Sequence, residues 1–175
     1  MKKTRKRITE DRFYNALTAL MERKSYEDIT ISAISDEAGI SRMTFYRNFK
    51  SKDDILVSHL NSVIEDIKKN FMAGSDLSEK NFWYEMIRAS RSDPLNEHLM
   101  AAGLFEKTIT SQLDFILSVY RDYFGLDLTD QNSVVFVYRK LGAVFGCLFY
   151  AALHKGFSME ILTKHLDTVI GEENN

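Results

Sequence analysis

Between Thr30 and Lys52 the chain reads TISAISDEAGISRMTFYRNFKSK, and the side chains there that can do chemistry are hydrogen-bond donors rather than nucleophiles. Arg42 and Arg47 carry planar forks, Asn48 an amide, Thr30, Ser41 and Thr44 hydroxyls, Tyr46 a phenol and Lys52 an ammonium. Such a set recognises acceptors. A guanidinium fork matches O6 and N7 of a guanine edge, and an Asn amide matches adenine or a phosphate. Hydroxyls, helix N-terminal amides and a cation suit phosphate oxygens, the role expected of Thr30, Thr44, Tyr46 and Lys52, with Arg47 suited to either task. Met43 offers apolar contact, of the kind a thymine methyl accepts.

Three short elements must position this set. Thr9, followed by Glu10 and Asp11, is a helix start with carboxylates beside the positive dipole end. Phe13, Ala16, Leu17, Leu20 and Met21 then form one apolar stripe, predicting a core helix that ends near Lys24. Thr30 caps a second helix with Ile31, Ile34 and Ala38 inward, and Gly39 stands where a left-handed cap closes it. Ile40 plugs the turn. Ser41 caps a third helix anchored by Phe45 and Phe49, four apart, which leaves Arg42, Met43, Thr44, Tyr46, Arg47 and Asn48 for its outer faces. Two helices, a tight turn and a polar outer face are the pattern of a helix-turn-helix DNA reader. Ser51 caps a fourth helix, over 51–72, with Asp54 reaching back in a capping box and Leu56, Leu60, Val63, Ile64 and Ile67 on its stripe.

Charge separates this head from the rest. Residues 1–52 hold 12 Lys+Arg against 7 Asp+Glu, a net of +5, while residues 53–175 hold 11 against 18, a net of −7. A basic head suits phosphate and an acidic body does not. The first seven residues, with Lys2, Lys3, Arg5, Lys6 and Arg7, have no apolar period. They read equally as a solvated tail or as an arm along a DNA backbone or minor groove.

Thr30 to Leu56 resembles the DNA-binding head of the tetracycline-repressor (TetR/AcrR) family. The resemblance rests on Thr30, Asp36-Glu37-Ala38-Gly39, Ser41, Thr44-Phe45-Tyr46-Arg47, Phe49 and Ser51-Lys52. With the first helix it covers about the first third of the chain. It implies a dimeric transcriptional regulator bound to double-stranded DNA. Separately, a single cysteine and a basic start followed by no apolar run lead us to expect a cytoplasmic protein, and the lack of a Gly-rich phosphate loop or a G-x-S-x-G motif leads us to expect one that is not an enzyme. Ser35 stands where Ala is common, Met43 where Gly is common and Asn48 where an aromatic or His is common. The last two lie on the DNA face, so the resemblance carries no operator sequence with it.

Behind the head the pattern stays helical, as one Pro and eight Gly in 175 residues allow. Ser78 or Glu79 opens a fifth helix through Phe82, Trp83, Met86 and Ile87, broken over 90–94. A brief sixth covers 95–100, a seventh 103–123, an eighth 130–155 and a ninth follows Ser158. The predicted fold is all-α with about nine helices: a three-helix head in 1–52 and a helical ligand-binding and dimerisation domain in 53–175. Trp83, Tyr84, Phe105, Tyr120 and Tyr123 are candidates to line a pocket for a small-molecule inducer, although aromatic residues at helical spacing are more often core. The eighth helix is apolar most of the way round, with Gly142 and Gly146 on one stripe, and predicts a four-helix interface between two copies through Gly142, Phe145, Gly146, Phe149, Leu162 and Leu166.

Other chemistry is disfavoured. His59, His98, His154 and His165 form no HxxxH or Cys/His cluster, so neither a metal nor a cofactor is expected. The lone Cys147 precludes an internal disulfide and reads as a small buried hydrophobe. The longest nearly uninterrupted apolar run, Leu141–Leu153, is shorter than the roughly 18 residues of a spanning helix and predicts a buried helix and no membrane. The reading is a repressor released from a near-palindromic operator by an inducer. The competing class is a small helical carrier, enzyme or protein-binding adaptor whose head ignores DNA.

Overall fold

A computed structural model describes residues 4–93, 95–154, 159–165 and 168. Among them are nine α-helices and no strand: α1 (Arg5–Met21), α2 (Ile31–Ala38), α3 (Arg42–Asn48), α4 (Asp53–Ala73), α5 (Glu79–Ser92), α6 (Leu95–Ala101), α7 (Phe105–Tyr123), α8 (Gln131–Leu153) and α9 (Met159–Lys164). The chain divides into two compact units, one of Met1–Val63 with His98–Thr108, the other of Ile64–Glu97 with Ile109–Asn175.

In the first unit α1 begins earlier than the sequence signals suggest. Thr4, not Thr9, is the cap, its hydroxyl accepting from Arg7 N at 3.3 Å. Thr9 turns its hydroxyl back onto Arg5 O at 3.1 Å. Both threonines can cap, and the earlier one gains a further turn of backbone hydrogen bonds. Arg5, Lys6 and Arg7 are therefore the first turn of a helix rather than a loose tail, while Lys2 and Lys3 lie outside the described residues. Thr30 caps α2 by accepting from Ala33 N at 3.2 Å. Gly39 closes that helix at φ +62, and Ile40 N donates to Ser35 O at 3.0 Å, the paired bonding of a left-handed helix end. Phe13, Phe45 and Phe49 meet edge to face at the centre, Phe13 lying 5.4 Å from Phe45 and 5.8 Å from Phe49.

The second unit is built on buried aromatic residues. Phe71 packs edge-on against Phe82, Tyr123 and Phe124. Beside them runs a polar chain that the apolar pattern conceals. Trp83 Nε1 donates to the Tyr120 hydroxyl at 3.0 Å, and Tyr120 donates in turn to Glu79 Oε1. Lys140, only 3% exposed, completes the chain with 2.7 Å contacts to both oxygens of Glu79, its ammonium 4.1 Å from the Phe136 ring centre. Burial, then the neighbouring carboxylate, pushes the Tyr120 phenol far above its ordinary pKa, so it remains a donor.

α8 is capped by Asp130, whose carboxylate accepts from Ser133 N at 3.0 Å. It is not the buried helix its composition predicts. Gln131–Tyr150 is long and apolar enough, by length and mean hydropathy, to cross a membrane, yet only 33% of its most apolar window is buried. Val137, Lys140, Leu141, Val144, Phe145 and Leu148 are buried, while Val135, Tyr138, Gly142, Gly146, Phe149 and Tyr150 are exposed. Cys147 is half-exposed rather than buried. The reason is geometric: one face of a helix is enough to pack a single chain, and the remainder must be met by something else or by solvent.

Replacing Lys140 leaves the partly buried Glu79 carboxylate without its countercharge, a loss that usually exceeds the net worth of the pair. Lys140→Met is expected to lower unfolding free energy by about 3 kcal/mol in urea titration, and adding Glu79→Leu to recover most of that loss.

Candidate nucleic-acid interface

A helix of seven residues does not hold together alone in water, so α3 exists because both ends and one face are tied down. The Ser41 hydroxyl accepts from Thr44 N at 3.2 Å at the start, and Phe49 N donates to Phe45 O at the end. Phe45 is fully buried and Phe49 nearly so. α2 is tied to α1 and the turn after it by links that sequence reading missed: Arg12 Nη2 donates to Ala38 O at 2.6 Å, and Arg23, just past α1, meets Glu37 at 2.9 Å. Nothing in the local sequence marks these arginines, whose partners are far along the chain.

The remaining α3 side chains divide into exposed and half-buried. Arg42, Met43, Tyr46 and Arg47 are exposed, Met43 at 67% and Tyr46 at 60%. Arg47 Nη2 lies 3.5 Å from the Met43 sulfur, one turn away. Tyr46 is held edge-on against Phe45 at 5.4 Å, which aims its phenol outward. Thr30 and Ser41 are exposed caps. Thr44 is half-buried and shares a 3.0 Å hydroxyl contact with Ser41. Asn48 is half-buried, and one N–H of its amide donates to Thr44 O at 2.7 Å.

Lys52 departs furthest from the expectation of a phosphate contact. Its ammonium donates to Tyr26 O at 2.5 Å, Ile29 O at 3.1 Å and Glu27 O at 3.2 Å, and stands 4.4 Å from the Tyr26 ring centre. An ammonium has three N–H donors, and all three are used to hold the loop before α2. Tyr26 is locked from its other end by a 2.6 Å bond to Asp53 Oδ1, and burial first, then that carboxylate, pushes its phenol well above the ordinary range. The predicted capping box is present: Asp54 Oδ2 accepts from Lys50 N at 2.7 Å and Ser51 N at 3.2 Å. At the other end of the head the first turn of α1 adds exposed Arg5 and Lys6, the latter 3.7 Å from Glu10.

The candidates behind the head fare differently. Trp83 and Tyr120 are core residues engaged in the Glu79 chain, Tyr123 is half-buried against Phe71, and Tyr84 is exposed, so it does not line an interior pocket. Phe105 falls in the other compact unit. Of the interface residues, Gly142, Gly146 and Phe149 are exposed on α8, whereas Phe145, at 8% exposure, is core of its own chain. Leu166 lies outside the described residues, as does the side chain of Leu162.

Two short capped helices around a glycine turn, with exposed basic and apolar side chains on the second and a buried aromatic seam beneath, define a helix-turn-helix DNA-binding regulator. Residues 14–58, the head, match the family described as "Bacterial regulatory proteins, tetR family". Comparison with curated proteins found no match. Among solved structures, the chain is similar to the fatty acid degradation regulator FadR from Bacillus halodurans, at TM-score 0.69 and 14% identity over 100% of both chains. It is also similar to a TetR-family transcriptional regulator from Mesorhizobium loti MAFF303099, at TM-score 0.61 and 17% identity over 96% of each. At such identities the likeness is one of fold, and it extends through the body that the family match does not reach.

Since Lys52 holds backbone rather than reaching outward, Lys52→Ala is expected to lower stability by roughly 2 kcal/mol in chemical unfolding while leaving the slope of log affinity against log salt for DNA unchanged. A slope lower by about one would restore it as a phosphate contact.

Proposed function

We propose that the protein is a transcriptional repressor that binds a near-palindromic operator as a homodimer and leaves it when a small molecule binds the body. The observation that carries this reading is the outward face of α3, where Arg42, Met43, Tyr46 and Arg47 stand exposed on a head of net charge +5. Residues 1–52 are assigned to DNA and 53–175 to ligand and dimerisation. Arg42, in the first turn of α3, reads a guanine edge in the major groove. Thr30, Ser41 and Tyr46 present hydroxyls to phosphates, and at the helix N-termini backbone amides add to the attraction. No cofactor or catalysis enters the mechanism, and the setting is the cytoplasm.

The exposed α8 stripe supports the dimer. Val135 is 66% exposed and Tyr138, Phe149 and Tyr150 are about half so, an apolar face of a kind that single chains seldom leave open. A Cβ built on Gly142 or Gly146 meets nothing within 4 Å, so the stripe is smooth at its centre and allows a second helix to approach closely. In a dimer the two α3 helices must lie about 34–36 Å apart to enter successive major grooves. α4 is shared by both compact units, so a ligand that favours another tilt of this helix shifts the spacing and weakens operator binding.

Two measurements test the reading. In gel-shift titrations against an operator selected from randomised duplex DNA, Arg42→Ala should cost about 1–3 kcal/mol on the operator and little on random DNA; equal losses on both would remove Arg42 as a base reader. Tyr138→Glu combined with Gly146→Arg should leave the circular dichroism spectrum intact, shift sedimentation to that of a monomer and reduce operator affinity by at least tenfold; an unchanged dimer would place the interface elsewhere.

A further inference from the structure

The structure reorders the recognition helix. Side chains advance about 100° per residue around an α-helix, and Phe45 and Phe49 mark the direction of the core. The direction opposite their mean falls on Arg47, with Met43 about 40° to one side, Thr44 about 60° to the other, and Arg42 further round but exposed as the first residue of the helix. Thr44 is withdrawn against Ser41, and one N–H of the Asn48 amide donates to Thr44 O. What remains at the centre of the exposed face is a pair: Met43, 67% exposed, with its sulfur 3.5 Å from Arg47 Nη2. Tyr46, 60% exposed, flanks Met43 on the side away from Arg47.

An apolar side chain at the apex of a DNA-reading surface has one distinctive complement in the major groove, the C5 methyl of thymine, since every other group there is a hydrogen-bond donor or acceptor. The thioether is polarisable and unbranched, suited to lie along such a methyl. Its contact with Arg47 also limits the rotamers of the guanidinium, so that the fork is steered toward the base pair beside the one Met43 covers. We propose that Met43 is a specificity-determining residue, that each operator half-site contains a thymine whose methyl packs on the Met43 thioether, and that Arg47 reads the adjoining base pair. This rests on the DNA-binding reading and states what that surface selects.

The test is methyl deletion in the DNA. The full-length protein is used to select sites from a randomised duplex library. Each thymine of the enriched site is then replaced singly by uracil, which removes the methyl and leaves the hydrogen-bonding pattern intact. For the wild-type chain one thymine per half-site should be sensitive, with affinity falling about fourfold per half-site on loss of its methyl. Met43→Ala should bind thymine and uracil versions equally, and Met43→Leu should restore most of the preference; both variants lie on the surface and leave the fold intact. An enriched site at which no uracil replacement matters, or at which Met43→Ala keeps the full preference, overturns the assignment while leaving the regulator reading in place. No enriched site at all removes both.

Discussion

The aromatic seam of Phe13, Phe45 and Phe49 is the interaction on which the rest of the head depends. α3 has too few residues to be stable by its own hydrogen bonds, and its outer face carries side chains that gain nothing from folding. Burying two phenylalanines against a third supplies the missing stabilisation, on the order of 1.5–3 kcal/mol for each ring, with edge-to-face geometry adding to it. Because those two rings are four residues apart, they fix the rotation of the helix as well as its position. The remaining residues are then aimed without further choice, and Met43 and Arg47 face outward because Phe45 and Phe49 face in.

Around that seam, charged side chains do mechanical work that their types do not announce. Lys52 holds three carbonyls of the loop before α2, Arg12 holds the last carbonyl of α2, and Arg23 pairs with Glu37. A basic head thus contains two populations of cations, one tying the helices together and one, with Arg42 and Arg47 of α3, exposed at the surface. Net charge describes their sum; only the contacts separate them. The body buries a cation too, Lys140, which is sunk beside Glu79.

Much of the architecture was legible in the chain. Hydroxyl caps at Thr30 and Ser41, the capping box at Ser51 and Asp54, the left-handed Gly39 and the spacing of Phe45 and Phe49 each act within a turn or two of sequence, and each is present. Errors arose where two local signals competed or where composition stood in for packing. Thr4 outcompetes Thr9 as the start of α1, and Cys147, read as buried from its apolar surroundings, is half-exposed.

By itself, then, the sequence determined that the chain is helical, that a glycine turn separates α2 from α3 and that the outer face of α3 is polar and basic with one apolar intruder at Met43. Periodicity, caps and turns are encoded by near neighbours, so they can be read in order. Tertiary structure alone decided which of those side chains remain available. Lys52 is claimed by carbonyls 26, 25 and 23 residues away, and Lys140 by a carboxylate 61 residues away. A donor's availability depends on which acceptors reach it first, and those are set by chain reversals that no local window contains.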